Sequence, residues 1–548
     1  GSGVQHGFRV AERKRWRAGK FRRGRVGAWQ DELPERLHLR FLRLHGRELV
    51  RLGYADSPRV RSGAHCTAFA SPGICKSARA ETRRKRRVLI DASKLLDTRI
   101  DGIRRYVQEL LRAMLPIARR HRNCWQFDVR FGLNGTFPLL DVAEDIERGQ
   151  APMEEIPPLF RSDEKNPIHA CKHRLHELKG RVGWETTWET GRLNYFKMCR
   201  SVQKRWREIR ELVAGPKRLG YDVVHLTLPN TWGFYRNLAG PLLMTVHDLS
   251  HKVCPQFQTA SNNRSLETGL QFAQDADAHY VADSLATKEQ MVRLLGFDAE
   301  RIAVGHLGCD FQRFQPVVRT ATLDRIRKKY GIPQEPYVLS VGTLEPRKNL
   351  INTVEAFTRL AREAPDLRAN LIIAGSFGWG SARALREAIE GRARIRAIGY
   401  VDDEDLPGLY SGAAAFSYVS HYEGFGLPLL EAMGCGVPAL YGSGSSMPEV
   451  VGEAGLAASP GDVSQITHCL RRLLEDGPLR RRLSRAAILR SLDFSWEKVA
   501  EQTFAGYQHL AESRSPRAGT ADFVVASEPG STRRAFAPAE GGGRHAAA

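Results

Sequence analysis

Residues 413–442 hold the pieces of a strand, loop, helix and strand in immediate succession. A small apolar run (AAAFSYVS, Ala413–Ser420) leads into HYEGFG (His421–Gly426), a compact stretch LPLLEAMGCG (Leu427–Gly436) and a second apolar run VPALYG (Val437–Gly442). Short apolar runs of this kind suit strands buried on both faces, and a helix between two of them makes a parallel crossover. The chain is thereby committed to an α/β fold. Open parallel sheets bind ligands outside the carboxyl ends of their strands, which is where residues 421–426 fall.

The loop has the chemistry for an anion flanked by hydroxyls. Bare amides at Gly424, Phe425, Gly426 and Leu427, with the positive end of a helix starting near Pro428, make a site for a diphosphate. Proline suits a first helical turn, where its missing N–H would have no partner. The carboxylates of Glu423 and, eight positions later, Glu431 are acceptors that can grip hydroxyls on either side of the phosphates. A nucleotide-activated sugar has that layout. The spacing of the two glutamates is weak by itself, since chance supplies such a pair about once or twice in a chain this long. Its setting between two strands gives it weight.

Alternation continues on both sides. Apolar runs at 86–93, 127–133, 222–228, 242–249, 278–284 and 301–308 form one series, with a glycine loop (Asp97–Tyr106) and a helix carrying Ile103, Tyr106, Val107, Leu110, Leu111, Met114 and Leu115 after the first. Runs at 337–342, 369–376 and 394–401 lead a second series into the opening segment, with helices from Asn349 and Asp403. Two Rossmann-like, doubly wound domains facing across a cleft are therefore expected. The expected boundaries are a first domain over 87–320 with an insertion at about 134–221, a linker at 321–336 closed by Pro333 and Pro336, and a second domain over 337–490. A last helix at 491–512 with Ser495 as its cap and a Gly/Ala/Ser/Pro-rich, disordered tail at 513–548 complete the chain.

Charge is concentrated at one end. Residues 1–86 carry 22 Lys and Arg against 7 Asp and Glu, and the remainder carries 61 against 54. This Arg-rich, weakly periodic extension reads as disordered, with contact to anionic lipid head groups, an extension without function, and nucleic acid as its readings. It has none of the signatures of folded nucleic-acid modules, so no specific nucleic-acid partner is expected. No run approaches the roughly eighteen apolar residues of a membrane span. No signal-peptide core is seen either, and the nine cysteines lack any C-x-x-C pair. A cytoplasmic protein follows as the expectation, with peripheral contact on the inner membrane surface as an option. Within the insertion, residues 184–213 mix Trp184, Trp188, Tyr195, Phe196 and Trp206 with Arg and Lys. That stretch suits a membrane or lipid-linked acceptor interface, but a helix packing its aromatics inward with a solvated basic face is the plainer reading and stands ahead of it.

Three further motifs belong to the proposed cleft. VGTLEPRKNL (Val341–Leu350) ends the second domain's first strand, so Gly342, Thr343, Arg347 and Lys348 face the carboxyl-end crevice. Fixed cations there can stabilise a departing diphosphate. His247 and Asp248 end the strand LLMTVHDL. Gly102 in DGIRRY lets backbone amides approach from the opposite wall.

These motifs, in this order, resemble those of the retaining glycosyltransferases of family four, and the chain is similar to their mannosyltransferase-like branch. The resemblance implies the two-domain GT-B fold, with the last helix crossing back to the first domain. It places Glu423 on the donor-sugar hydroxyls, Glu431 on the ribose, Lys348 by the diphosphate and His247 near the sugar's 6-hydroxyl. DGIRRY resembles the family's TGIGRY type of loop. Many members have Arg directly after the glycine where this chain has Thr343, with Arg347 nearby. Ser445, Ser446, Pro448 and Glu449 match a further family stretch, and Glu449 reads as helix-start chemistry. The implied activity moves a hexose, with mannose from GDP-mannose favoured, onto a hydroxyl of a lipid-linked or polysaccharide acceptor in cell-surface polysaccharide synthesis. No cofactor is expected, and no metal, because Arg347 with Lys348 can supply the counter-charge. Transfer from a UDP-sugar, a sugar phosphorylase or nucleotide-sugar hydrolase on the same fold, and a non-catalytic binding protein are the competing readings.

Overall fold

The computed structural model describes residues 84–97, 101–132, 135–149, 220–235, 240–378 and 382–513. The basic extension up to residue 83, the aromatic and basic stretch 184–213 and the tail after Ser513 lie outside them.

The first domain is built on a seven-stranded sheet in the order β3-β2-β1-β4-β5-β6-β7. Its strands are β1 (Arg86–Asp91), β2 (Trp125–Arg130), β3 (Thr136–Pro138), β4 (Val223–Leu226), β5 (Leu242–Val246), β6 (His279–Ala282) and β7 (Ile302–Val304). All pairings are parallel except β2 with β3. Val88, Leu89 and Ile90 are wholly buried, as a strand covered on both faces requires. After β1 comes the helix Gly102–His121, whose N-cap Asp101 accepts from the Arg104 amide at 2.8 Å and whose stripe from Tyr106 to Leu115 is buried.

The second domain has a six-stranded, wholly parallel sheet in the order β10-β9-β8-β11-β12-β13. Its strands are β8 (Tyr337–Val341), β9 (Asn370–Ala374), β10 (Ile395–Gly399), β11 (Ala415–Tyr418), β12 (Ala439–Gly442) and β13 (Gly455–Ala458). In both sheets the strand order reverses at the first strand, between β1 and β4 and between β8 and β11. Those two switch points open crevices at their carboxyl ends, and the crevices face each other.

Three expectations are corrected. Arg84 and Lys85, assigned to the basic extension, belong to the fold, which reaches back beyond Arg86 at the start of β1: Arg84 donates to the Gly220 carbonyl at 3.1 Å. The region beyond residue 134, assigned to an insertion, begins with the antiparallel edge strand β3 and the helix Ala143–Arg148. The linker at 321–336 is in large part the helix Thr320–Tyr330, which buries Leu323 and Ile326. Its charges hid it. Arg325, Lys329 and Tyr330 all donate to Asp405, a buried carboxylate 75 to 80 residues away, so the helix depends on a partner that local periodicity does not reveal.

The last helix, Trp496–Glu512, is capped by Ser495, whose hydroxyl accepts from the Lys498 amide at 3.3 Å. It packs on the helix Gly102–His121, and Tyr507 bonds buried His225 at 2.7 Å. One apolar core runs through the junction of the two domains, joining Leu307 and Phe314 to Phe425, Leu427 and Leu430 and to Phe494 and Trp496. Among the described residues, no helix is long and apolar enough to cross a membrane.

Candidate active site

Between the facing sheet edges lies a cavity of about 580 Å³, lined from one side by Gly102, His247 and Asp248 and from the other by Thr343, Lys348, Glu423 and Glu431 among others. The strands converge tightly at its floor. Gly342 (φ +147°) and Gly375 (φ +141°) end β8 and β9, and a Cβ at Gly375 would lie 1.8 Å from the Gly342 oxygen. Only glycine fits there.

From Gly342 the chain passes into the turn Pro346–Lys348, which is pinned by Asn349. That residue sits in the left-handed region (φ +56°) and donates to the carbonyls of Val419 (3.0 Å) and Pro460 (2.7 Å). The turn aims both cations at one carboxylate. Lys348 Nζ lies 2.7 Å from Glu423 Oε1 and also meets the Tyr418 hydroxyl, while Arg347 Nη1 lies 2.8 Å from Glu423 Oε2. Arg347 is itself held by Glu345 at 2.7 Å. Burial opposes the charge on Glu423, but the Arg347 and Lys348 cations outweigh it and bring its pKa down to about 2. Burial pulls the Lys348 amine below its usual range, Glu423 opposing, and Arg347 stays well above its own because Glu423 and Glu345 outweigh burial. Glu423 is thus an ionised carboxylate with fixed orientation.

The following loop turns its carbonyls away from the cavity. Tyr422 O accepts from Arg347 at 2.6 Å, and the carbonyls of Glu423 and Phe425 accept from the Ser446 hydroxyl at 2.9 and 3.0 Å. Gly426, at φ +100°, then caps the helix Leu427–Gly434 with Pro428 in its first turn. The amides of Gly426 and Leu427 precede the first intrahelical bond and so have no intrahelical partner, and both residues line the cavity. The Phe425 side chain does not join them: it is buried near His306 and Phe494. Gly424 is a close approach between the domains, since a Cβ there would stand 2.0 Å from the His247 oxygen.

Glu431 sits on that helix, accepting from Tyr410 at 2.9 Å through one oxygen and meeting Arg105 through the other. Arg105 comes from the first domain. Its other nitrogen reaches Asp403 at 3.2 Å, and Arg313 reaches Asp403 at 3.1 Å. Burial works against the Arg105 charge, but Glu431 and Asp403 outweigh it and hold the guanidinium above its usual range. Sequence reading missed Arg105, Asp403 and Glu345. Arg105 stands in the first turn of the helix Gly102–His121, within the DGIRRY stretch whose sequence points only to Gly102, and its partner is 326 residues distant.

His247 lines the cavity, but both ring nitrogens point elsewhere. Nδ1 lies 2.7 Å from Asp283 and Nε2 lies 3.0 Å from the Thr227 carbonyl, with the Tyr106 ring edge-on at 4.7 Å. The Thr227 carbonyl can only accept, so Nε2 donates to it, and with Asp283 ionised Nδ1 donates as well, which gives the imidazolium form. Burial disfavours that charge, yet the Asp283 carboxylate outweighs burial and holds the ring above the ordinary histidine range. Gly102 starts its helix facing the second domain, where an added Cβ would be an ordinary 3.7 Å from Leu427. Thr343 lines the cavity beside Gly342. Glu449 does perform helix-start chemistry, but for a helix of the other domain: it accepts from the amides of Leu285 (2.8 Å) and Ala286 (3.3 Å) and meets His306. Among the described residues there is no group of three or more His, Cys, Asp or Glu placed to hold a metal ion.

Comparison with known proteins gives consistent relatives. Residues 323–490 match the family model for glycosyl transferases group 1, and residues 171–313 match that for glycosyltransferase family 4. The chain is 37% identical over 271 residues to the O-antigen chain mannosyltransferase B of Escherichia coli, covering 48% of this chain and 70% of that protein. It is 32% identical over 210 residues to the serotype-specific mannosyltransferase WbdA of the same species, covering 37% of this chain but only 26% of that protein. Among solved structures, HepE of Anabaena, determined with UDP and glucose, superposes with a TM-score of 0.52 at 16% identity, over 77% of this chain and all of that one.

Proposed function

Because the chain belongs to the family-four glycosyltransferases of GT-B fold, we propose that it transfers a hexose, with mannose from GDP-mannose as the favoured donor, to a glycan hydroxyl with retention of anomeric configuration. Two of the relatives are mannosyltransferases by name, which supports the choice of sugar. The observation that carries the reading is the Glu423 cluster: an ionised carboxylate fixed by Lys348 and Arg347 directly beside open amides at a helix start.

In this reading the diphosphate rests on the amides of Gly424–Leu427, with Lys348 and Arg347 at its edge, and Glu423 accepts from hydroxyls of the donor sugar. Glu431 accepts from the ribose. The acceptor oxygen forms a bond to C1 of the sugar as the bond from C1 to the diphosphate oxygen breaks. Both events occur on one face, and the acceptor's proton passes to the departing phosphate. Charge grows on the diphosphate as it leaves, and cations already oriented in a shielded cleft stabilise that growth without reorganising. These same cations take the counter-charge role, so the proposed reaction needs no metal.

Thermal-shift titration of the full chain with GDP-mannose, UDP-glucose and UDP-N-acetylglucosamine tests donor choice, since a ligand at a hundred times its Kd stabilises by about 2.7 kcal/mol. Product analysis by NMR, with and without EDTA, then reads anomeric configuration and metal independence. An inverted product, or activity abolished by EDTA and restored by Mg²⁺, overturns the corresponding part.

A further inference from the structure

The cavity's other wall has a different chemistry, which the donor site does not use. It is formed by Ser250, Gln258, Asn262 and Leu266, with Asn230 beside them. Asn262 and Leu266 stand one turn apart on the helix Ala260–Asp275, and that helix is seated against the chain at Pro229 so closely that a Cβ at Gly269 would lie 2.0 Å from the Pro229 oxygen. The wall is therefore rigidly placed. Its polar groups form a chain rooted in Asp248, whose Oδ1 accepts from the Ser250 amide (2.9 Å) and hydroxyl (2.7 Å). Ser250 Oγ accepts from Gln258 Nε2 at 2.9 Å, and Gln258 Oε1 accepts from Asn262 Nδ2 at 3.0 Å.

Each of these bonds uses one donor and one acceptor of groups that have more. An amide carries two N–H donors and two acceptor lone pairs, so Gln258 and Asn262 each retain a donor and acceptor capacity, held in orientation by the chain. Paired donor and acceptor capacity matches hydroxyls, which both donate and accept. The apolar Leu266 and Pro229 flanking them suit the C–H face of a sugar ring. Charge points the same way. Among the described residues lining this wall there is no Lys or Arg other than Arg105, which is engaged by Glu431 and Asp403, whereas the Asp248 carboxylate faces the same space and Asp101, also on the wall, is paired with Lys94 at 2.8 Å. A phosphorylated group placed here would meet negative charge and no free cation.

We propose that this wall is the acceptor subsite and that it takes the terminal sugar of an uncharged glycan through hydroxyl bonds to Gln258 and Asn262, rejecting acceptors that carry phosphate on that sugar. The proposal rests on the glycosyl-transfer reading only for what the bound sugar receives. Binding itself is testable without a donor.

Saturation-transfer NMR on the full chain, with a panel of neutral disaccharides (mannobiose, maltose and lactose) and mannose 6-phosphate, is the first measurement. At least one neutral disaccharide should bind, mannose 6-phosphate should not, and Gln258→Ala and Asn262→Ala should each weaken neutral binding by tenfold or more. In turnover assays with the donor that stabilises the protein, the same variants should raise the acceptor KM tenfold or more. They should leave the donor KM and the slow hydrolysis of donor without acceptor within twofold of wild type. Unchanged acceptor binding in both variants overturns the proposal, as does a rise in donor KM that tracks the acceptor KM. Equal binding of mannose 6-phosphate overturns its exclusion of charge. If the wild type binds neutral sugar through these residues yet cleaves no nucleotide sugar, the subsite stands and the transfer reading falls.

Discussion

The two carboxylates of the cleft are held in opposite ways. Glu423 receives its partners from its own domain: Lys348 and Arg347 approach from a turn anchored by Asn349 to the neighbouring strand's carboxyl end. Glu431 is shared, with Tyr410 from its own domain and Arg105 from the other. The first arrangement exists whether the cleft is open or closed, and the second only when the walls meet. Glu423 is thus preorganised, as a group acting on the reacting sugar should be, while Glu431 couples its ligand to domain position. Mutations that separate the halves can test that contrast.

The largest effect is expected at Glu423. Glu423→Ala removes the sugar-orienting acceptor and leaves Lys348 and Arg347 without their common partner in a buried site, so transfer should fall on the order of a hundredfold or more. The loss should appear in kcat, and Glu423→Gln, which keeps the shape but not the charge, should recover only part of it. Turnover like that of wild type in the alanine variant would refute the role.

Gly424→Ala comes next. Its Cβ would stand 2.0 Å from the His247 oxygen, a backbone atom that cannot rotate aside, so the walls must part. Transfer should drop by about ten- to a hundredfold through misplacement alone. Nucleotide binding, an affair of the second domain, should change little. Calorimetry with GDP, beside initial rates, separates the two, and an equal loss of both would show that the loop itself had collapsed.

Much of this architecture was legible because its signals are local. The strand, glycine loop and helix around Glu423 fall within one continuous segment, and the buried stripe from Tyr106 to Leu115 shows its helical period directly. What escaped was every feature whose reason lies far along the chain. Arg105 looks like any charge on a loop until Glu431 arrives from 326 residues away, and Glu449 looks like the start of its own helix until the amides of Leu285 and Ala286 are seen against it. The helix Thr320–Tyr330 reads as a linker in the sequence because its charges need Asp405 to satisfy them. His247 lines the cavity, yet its ring nitrogens belong to Asp283 and Thr227, which no motif announces. Local pattern thus disclosed the half of the cleft that is self-contained, and stayed silent on the half that depends on contact between domains.

Arg105→Ala probes that second half and should act more mildly. Freed of its cross-cleft partner, Glu431 becomes available to a ribose without competition, so GDP affinity should rise several-fold while the melting temperature falls by a few degrees. A fall in GDP affinity instead would mean that Arg105 swings onto the diphosphate, turning it from a competitor into a ligand.

The smallest effect is expected from pH. In the folded protein His247 holds its proton above the ordinary histidine range because Asp283 outweighs burial, whereas in the unfolded chain it titrates near 6.5. A folded pKa above the unfolded one means that the stabilisation is fully present below about pH 6.5 and is lost as pH rises through the folded value. Glu423 has the opposite sign: with a pKa of about 2 when folded, its contribution is complete above the ordinary glutamate range and is lost only as pH falls toward 2. Melting temperatures of wild type and His247→Gln from pH 5.5 to 9 should therefore converge as pH rises. Wild type and Glu423→Gln should keep a constant separation across the same range. If the His247 difference stayed flat, the imidazolium would be absent, and the first-domain wall would be as indifferent to pH as the Glu423 cluster opposite.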